Sequence, residues 1–195
     1  MADPEGSADE VTRLLNAAQR GTQGAIGDVF GVVFRELREL AAAMMQHERQ
    51  GHTLQPTALV NEVYLKLQQQ RSTACADRHQ FLGVAATAMR RILVDHARTR
   101  GRQKRGEGAA LVPFDDLRAD QALAGPDAGS GDVVAIDEAL GRLSAIDERM
   151  ARVVELRFFG GLDPVEAAAV LGVSQRSCER DWAMARAWLR RELAG

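Results

Sequence analysis

The tightest constraint on this chain lies near its end, where residues 156–193 read LRFFGGLDPVEAAAVLGVSQRSCERDWAMARAWLRREL. Two short helical patterns are joined there by a three-residue turn. Asp163 is suited to N-cap the first, because its carboxylate can accept from backbone N–H groups that have no helical partner. Pro164 fits the first helical position and Glu166 stands three residues after the cap, as a capping box requires. This helix, about 164–171, offers Val165, Ala168, Ala169 and Leu171 as buried positions. Gly172 supplies the backbone freedom for a tight turn and Val173 plugs the corner. Ser174 caps a second helix that buries Cys178, Trp182, Ala185, Leu189 and Leu193, at spacings of four, three, four and four.

Two capped helices around Leu-Gly-Val, with small alanines at their crossing, form a helix-turn-helix pattern. In that motif the second helix enters the major groove and the first crosses the DNA backbone. An ordinary helical hairpin within a bundle gives the same local pattern, so the remainder of the chain must discriminate.

The 195 residues suit one domain or two small ones, and 46% hydrophobic content is ample for globular cores. Aromatics are scarce while Ala, Leu, Arg and Glu abound, which favours helix over sheet. A formal net charge of −2 excludes a uniformly basic coat but leaves room for local basic patches. Cys75 and Cys178 lie far apart without metal-ligand spacing, so no disulfide is expected and a reducing cytoplasm is the default. The acidic start MADPEGSADE carries no signal-peptide pattern, and no apolar run approaches the roughly 20 residues that cross a bilayer. The expected location is cytoplasmic, without a membrane partner.

Ahead of the motif, residues 1–10 read as a disordered N-terminus, followed by an amphipathic helix over 11–18 that buries Val11, Leu14, Leu15 and Ala18. Gly21, Gly24 and Gly27 mark a loop. A second helix is expected over about 28–50, with Val29, Val32, Val33, Leu37, Leu40, Ala41 and Met44 as its stripe and Gly51 as its stop. Pro56 opens a third over 57–69, with Leu59, Val60, Val63, Tyr64 and Leu67 apolar. A polar loop over 70–77 leads to a fourth from about Arg78 past Arg98, whose apolar face includes Phe81, Ala85, Met89, Ile92, Leu93 and His96.

Charge then changes abruptly. Residues 90–105 carry Arg90, Arg91, Arg98, Arg100, Arg102, Lys104 and Arg105 against Asp95 alone. Arg91, Arg98, Arg102 and Arg105 share one stripe if the helix passes Gly101, a plausible phosphate track; Asp95 on that stripe can pair with Arg91 or Arg98. Residues 106–132 are acidic and rich in Gly and Pro, a composition that cannot bury a core, and read as a flexible linker. The fold class is therefore all-α, with two small helical domains, 11–105 and 133–195, joined by that linker. The last begins with a helix carrying Val133, Ile136, Leu140 and Leu143, followed by another over 147–158.

Three stretches taken in order, TLQPTALVNEVYLKL (53–67), HQFLGVAATAMRRILVDHARTRGRQKRG (79–106) and the 156–193 motif, resemble the extracytoplasmic-function (ECF) sigma factors. The likeness is to the branch bearing a GHTLQPTALVxExY-like segment, and it spans the chain apart from the first ten residues and the linker. It implies an initiation factor that binds core bacterial RNA polymerase and promoter DNA, without catalytic residues of its own. Residues 11–105 would correspond to sigma region 2, docking on the clamp helices of the largest subunit through Asn61, Glu62 and Leu65. The 79–105 segment would recognise and melt the −10 element. Arg78, His79 and Gln80 would lie beside a base-accepting pocket, with Arg91, Arg98, Arg102, Lys104 and Arg105 along the strand. Members of the branch usually carry an aromatic near positions 75 and 82, where this chain has Cys75 and Leu82, so the base preferred at −10 is left open.

Residues 133–195 would correspond to region 4, meeting the polymerase flap and reading the −35 element through Gln175, Arg176, Ser177, Glu179 and Arg180. Arg to guanine, Gln to adenine and Glu to cytosine are the expected base contacts. Glu179 stands where family members often have a basic residue. With Asp181 it balances Arg176 and Arg180, so bulk phosphate attraction by this helix is weak. Phe158, Phe159 and Trp182 are expected to pack the small domain. The resemblance admits RNA mimicry by the acidic linker near the polymerase cleft, whereas its composition alone favours a solvated tether. Many relatives are held inactive by an anti-sigma factor, a partner the resemblance admits without identifying.

His47, His52, His79 and His96 show no metal-ligand spacing, and no phosphate loop, nucleophile elbow or HExxH pattern is present. No catalytic residue, metal or cofactor is expected. The alternative to the sigma reading is a stand-alone helix-turn-helix regulator that binds duplex DNA without polymerase. Such a regulator has no use for the 57–69 and 79–105 segments.

Overall fold

The computed structural model describes residues 4–46, 54–69, 75–103 and 133–194, and among them all regular structure is helical. The helices are α1 (Pro4–Gln19), α2 (Ala25–Gln46), α3 (Pro56–Gln69), α4 (Arg78–Gln103), α5 (Val133–Ile146), α6 (Glu148–Val154), α7 (Pro164–Leu171) and α8 (Gln175–Ala194). The chain is all-α, as its composition implied. His47, His52, Lys104, Arg105 and the proposed linker lie outside the described residues.

Two boundaries differ from the sequence expectation. Residues 4–10, expected to be disordered, form the opening turns of α1, where Pro4 fits a first-turn position. The loop expected over 21–27 closes sooner, because only Gly21 and Gly24 take left-handed backbone, at φ 82° and 86°. Gly27 is helical, and α2 starts at Ala25, which is itself buried.

Helices α1 to α4 pack around Val11, Leu15, Val29, Val33, Leu37, Leu59, Val63, Phe81, Met89 and Leu93, all sealed from solvent. Phe30, outside the expected stripe, is buried at the centre, edge-on to Phe81 with ring centroids 5.5 Å apart and to Tyr64 at 5.1 Å. Asp77 caps α4 by accepting from Gln80 N at 2.9 Å, while Gln80 Oε1 accepts from Ala76 N at 3.0 Å.

In the C-terminal half, Asp147 caps α6 by accepting from Met150 N. The end of α6 widens into a π-helical turn, Glu155–Phe159, closed by Gly160 N donating to Glu155 O at 2.9 Å. The two glycines of FFGG serve different needs. A Cβ at Gly160 would stand 2.4 Å from Leu156 O, which no side chain can tolerate, whereas Gly161 needs left-handed backbone at φ 65°.

The two halves share one continuous apolar core, which includes Leu82 and Ala86 of α4 and Leu143, Val153, Leu156 and Phe159 of the C-terminal helices. The cause lies in α4. Besides the face holding Phe81, Ala85, Met89 and Ile92, it has a second stripe of His79, Gly83, Thr87, Arg90 and Arg98, turned toward α5, α6, the π turn and α7. Gly83 permits the closest approach, since a Cβ there would stand 2.5 Å from Leu156 Cδ2.

Candidate nucleic-acid and polymerase interfaces

The helix-turn-helix is built as its sequence required. Asp163 Oδ1 accepts from Val165 N at 2.7 Å and Glu166 N at 2.8 Å, and Glu166 Oε2 accepts from Asp163 N at 2.9 Å, completing the capping box. Gly172 takes the left-handed conformation at φ 66°, and Ser174 Oγ accepts from Ser177 N at 3.2 Å to start α8. Cys178, Trp182, Ala185 and Leu189 are buried, with Leu193 packed against them. On α7 the core-facing residues are Ala167 and Ala168. Val165 and Ala169, expected to be buried, are exposed, Val165 at 57%, because they stand four residues apart on the face of α7 turned away from Ala167 and Ala168.

The opposite face of α8 presents Gln175, Arg176, Glu179 and Arg180 to solvent, with Ser177 half-buried. Gln175 Nε2 donates to Glu179 Oε1 at 2.8 Å, so these two side chains hold each other. Ser177 Oγ lies 2.9 Å from Ser174 Oγ. Asp181 is not the solvent-facing counter-charge the sequence suggested. It is only 2% exposed, accepting from Arg149 Nε at 2.7 Å and from Arg180 Nη2 at 3.3 Å. The hydrogen bond and charge of Asp181 raise the Arg149 pKa above its ordinary value. Trp182 is stacked by the guanidinium groups of Arg157 and Arg186, 4.7 Å and 5.8 Å from its ring centroid, which assigns it to packing. Phe159 is buried too, at 4.6 Å from Phe158.

On α4, most of the described basic side chains proposed for strand contact are already engaged. Arg78 pairs with Glu36 at 2.5 Å, His79 with Glu166 at 3.1 Å, and Arg98 with Asp137 and Glu138 at 3.5 Å and 3.9 Å. Arg91 is exposed. Asp95 pairs with Lys66 at 3.9 Å, rather than with Arg91 or Arg98 as the stripe suggested. The helix does pass Gly101, ending at Gln103. Gln80 spends its amide oxygen on the loop before α4.

Cys75 is buried 3–5 residues before these side chains, and its carbonyl accepts from Gln19 Nε2 at 2.9 Å. Burial, reinforced by Asp77 and opposed by Arg152, pushes its thiol up to about 11. Leu82, at the other position where an aromatic was expected, is buried as well. Both cysteines are free, and burial raises the Cys178 thiol also.

On α3, Asn61 and Leu65 are exposed, Leu65 at 53%, while Leu59, Val60, Val63 and Leu67 face the core. Glu62 is half-buried, 3.4 Å from His96 Nε2.

The residue that sequence reasoning passed over is Arg90, counted there as one charge in a basic run. It is 7% exposed and binds Asp137 and, at 2.7 Å, Glu155, with its guanidinium 5.6 Å from the Phe159 ring. Its place on the stripe with Gly83 and Thr87 was the available signal.

No metal-binding group of three or more His, Cys, Asp or Glu residues occurs among the described residues, and no described helix is long and apolar enough to cross a membrane. A capped helix-turn-helix with a polar outer face, joined to a helical bundle with a long basic helix, is the architecture of a DNA-binding transcription protein. The chain belongs to the ECF sigma factor family, whose model, described as ECF sigma factor, matches residues 8–195. It is thus a transcription initiation factor that works by binding core RNA polymerase and promoter DNA. Comparison with curated proteins gave no match.

Proposed function

We propose that the chain directs polymerase to promoters by reading two separated elements, and that it functions in the cytoplasm. Residues 11–105 dock on the clamp helices through Asn61, Glu62 and Leu65. Their α4 segment opens the −10 element with Arg78, His79, Gln80, Arg91, Arg98, Arg102, Lys104 and Arg105. Residues 133–195 read the −35 element through Gln175, Arg176, Ser177, Glu179 and Arg180, close to the polymerase flap. The observation that carries this reading is the division of α8: one face is sealed around Cys178, Trp182 and Ala185, while the other offers amide, guanidinium and carboxylate groups to solvent. Those are the chemistries that discriminate base edges in the major groove.

Mixing the purified chain with core polymerase and a library of promoter fragments, then mapping transcript starts, tests it. A stable complex and discrete starts are expected; absence of both refutes the reading. Arg180→Ala should weaken initiation at promoters that depend on −35 while leaving core binding intact. Leu65→Ala should lower core affinity.

A further inference from the structure

Asp181 occupies an unusual place for a charged residue of α8. It lies in the buried row with Cys178, Trp182 and Ala185, its side chain only 3% exposed, yet it is next in sequence to Arg180 of the outer face. Both of its oxygens are engaged. Oδ2 accepts from Arg149 Nε at 2.7 Å, while Oδ1 accepts from Arg180 Nε at 3.4 Å and Nη2 at 3.3 Å. Burying a carboxylate is costly, and such a pair adds little stability over apolar packing, which points to a role in orientation.

The shape of the guanidinium supplies that role. An arginine has a side edge, Nε with one terminal amine, and an end edge formed by the two terminal amines. Asp181 takes the side edge of Arg180. The end edge, Nη1 with Nη2, belongs to a side chain that is 62% exposed. Guanine presents O6 and N7 side by side in the major groove, a pair that an end-on fork meets with two parallel hydrogen bonds. An arginine that swings freely also reaches phosphates, which carry no sequence information.

We propose that Asp181 is a positioning residue: braced by Arg149, it holds the Arg180 fork end-on for a single guanine and keeps it off the DNA backbone. This rests on the assignment of α8 to the −35 element above. Arg149 comes from α6, so the direction of the fork is set by the packing of α6 on α8 and not by α8 alone. Asp181 itself meets no base; it acts through Arg180.

The test uses the full chain with core polymerase, transcribing from fragments randomised across the upstream element, and reads the preference at every base pair. Arg180→Ala identifies its base pair: one position should lose a guanine preference of roughly ten- to hundredfold. Asp181→Asn then separates holding from folding. Its amide oxygen replaces Oδ2 against Arg149, and its NH2 group faces Arg180 donor to donor. Preference at that same position should fall about fivefold, in the range that ordering one long side chain is worth, while other positions keep theirs. Arg149→Gln, which lets the carboxylate turn, should relax the same position. These two variants change the charge in opposite directions, so a shared effect excludes bulk attraction. Asp163→Ala is the stability control, since it weakens the helix-turn-helix without touching Arg180; it should lower transcription evenly and leave the profile unchanged.

A folded Asp181→Asn chain with the wild-type profile overturns the proposal. So does a loss spread evenly over the element, the mark of a merely structural role, or an Arg180-dependent position that favours a base other than guanine. If circular dichroism shows that Asp181→Asn does not fold, Arg149→Gln decides. If Arg180→Ala changes no position at all, the −35 assignment of α8 fails, and the proposal with it.

Discussion

Arg149 Nε donates to Asp181 Oδ2 at 2.7 Å, tying the first turn of α6 to the buried side of α8. The carboxylate is 3% exposed and Arg149 47% exposed, so one partner is desolvated while the other remains solvated. Removing the acid leaves both guanidinium groups without their anchor and opens a small cavity. Asp181→Ala should lower stability by roughly 1–3 kcal/mol, less than for a fully buried pair because water screens Arg149. Thermal denaturation checks this, and Asp181→Asn, which can still accept from Arg149, should recover part of the loss.

Gly160 offers a sharper backbone test. Its would-be Cβ meets Leu156 O at 2.4 Å, an atom fixed by the π turn and already accepting from Leu162 N at 3.1 Å. Gly160→Ala should cost roughly 1–3 kcal/mol by forcing the backbone apart. An unchanged urea midpoint would mean that Glu155–Phe159 does not wind as a π turn.

The capping box gives a smaller effect. Asp163→Ala removes the acceptor for Val165 N and Glu166 N and should destabilise by about 1 kcal/mol. Glu166→Gln should cost less, because an amide oxygen can still accept from Asp163 N. Urea unfolding of the two variants side by side resolves the difference.

Stability should also depend on Cys75 at alkaline pH. Its folded thiol titrates near 11 against an ordinary 9.0, because burial disfavours the thiolate. A raised pKa contributes stability that is intact below pH 9 and is lost as pH climbs from about 9 to about 11. The loss approaches 2–3 kcal/mol, at roughly 1.4 kcal/mol per unit. Denaturation at stepped pH should show this fall, and Cys75→Ala should remove the Cys75 share of it. At neutral pH the native thiol should resist alkylation until the chain unfolds.

The local chemistry of the helix-turn-helix was legible in the sequence because each part depends on near neighbours. Asp163, Pro164, Glu166, Gly172 and Ser174 act within four residues of themselves, and the 4-3-4-4 spacing from Cys178 to Leu193 defines a face whatever packs on it. The polar face of α8 followed by elimination. Val165 was misplaced for the reason that limits such reading: apolar character marks a residue that could be buried, and only the face that α7 turns to its neighbours decides which ones are.

Helix α4 divides the two kinds of information most clearly. Its sequence by itself determined a helix, one core face through Phe81, Ala85, Met89 and Ile92, and a basic end, because periodicity and propensity are local. It did not determine that Gly83, Arg90 and Arg98 would meet Leu156, Glu155 and Asp137, partners from 39 to 73 positions away along the chain. A charged residue on a helix reads as solvated unless its partner is known, and Arg90 is buried only because two distant carboxylates converge on it. Tertiary packing alone decided that, and with it which basic side chains of α4 meet the acids of their own chain.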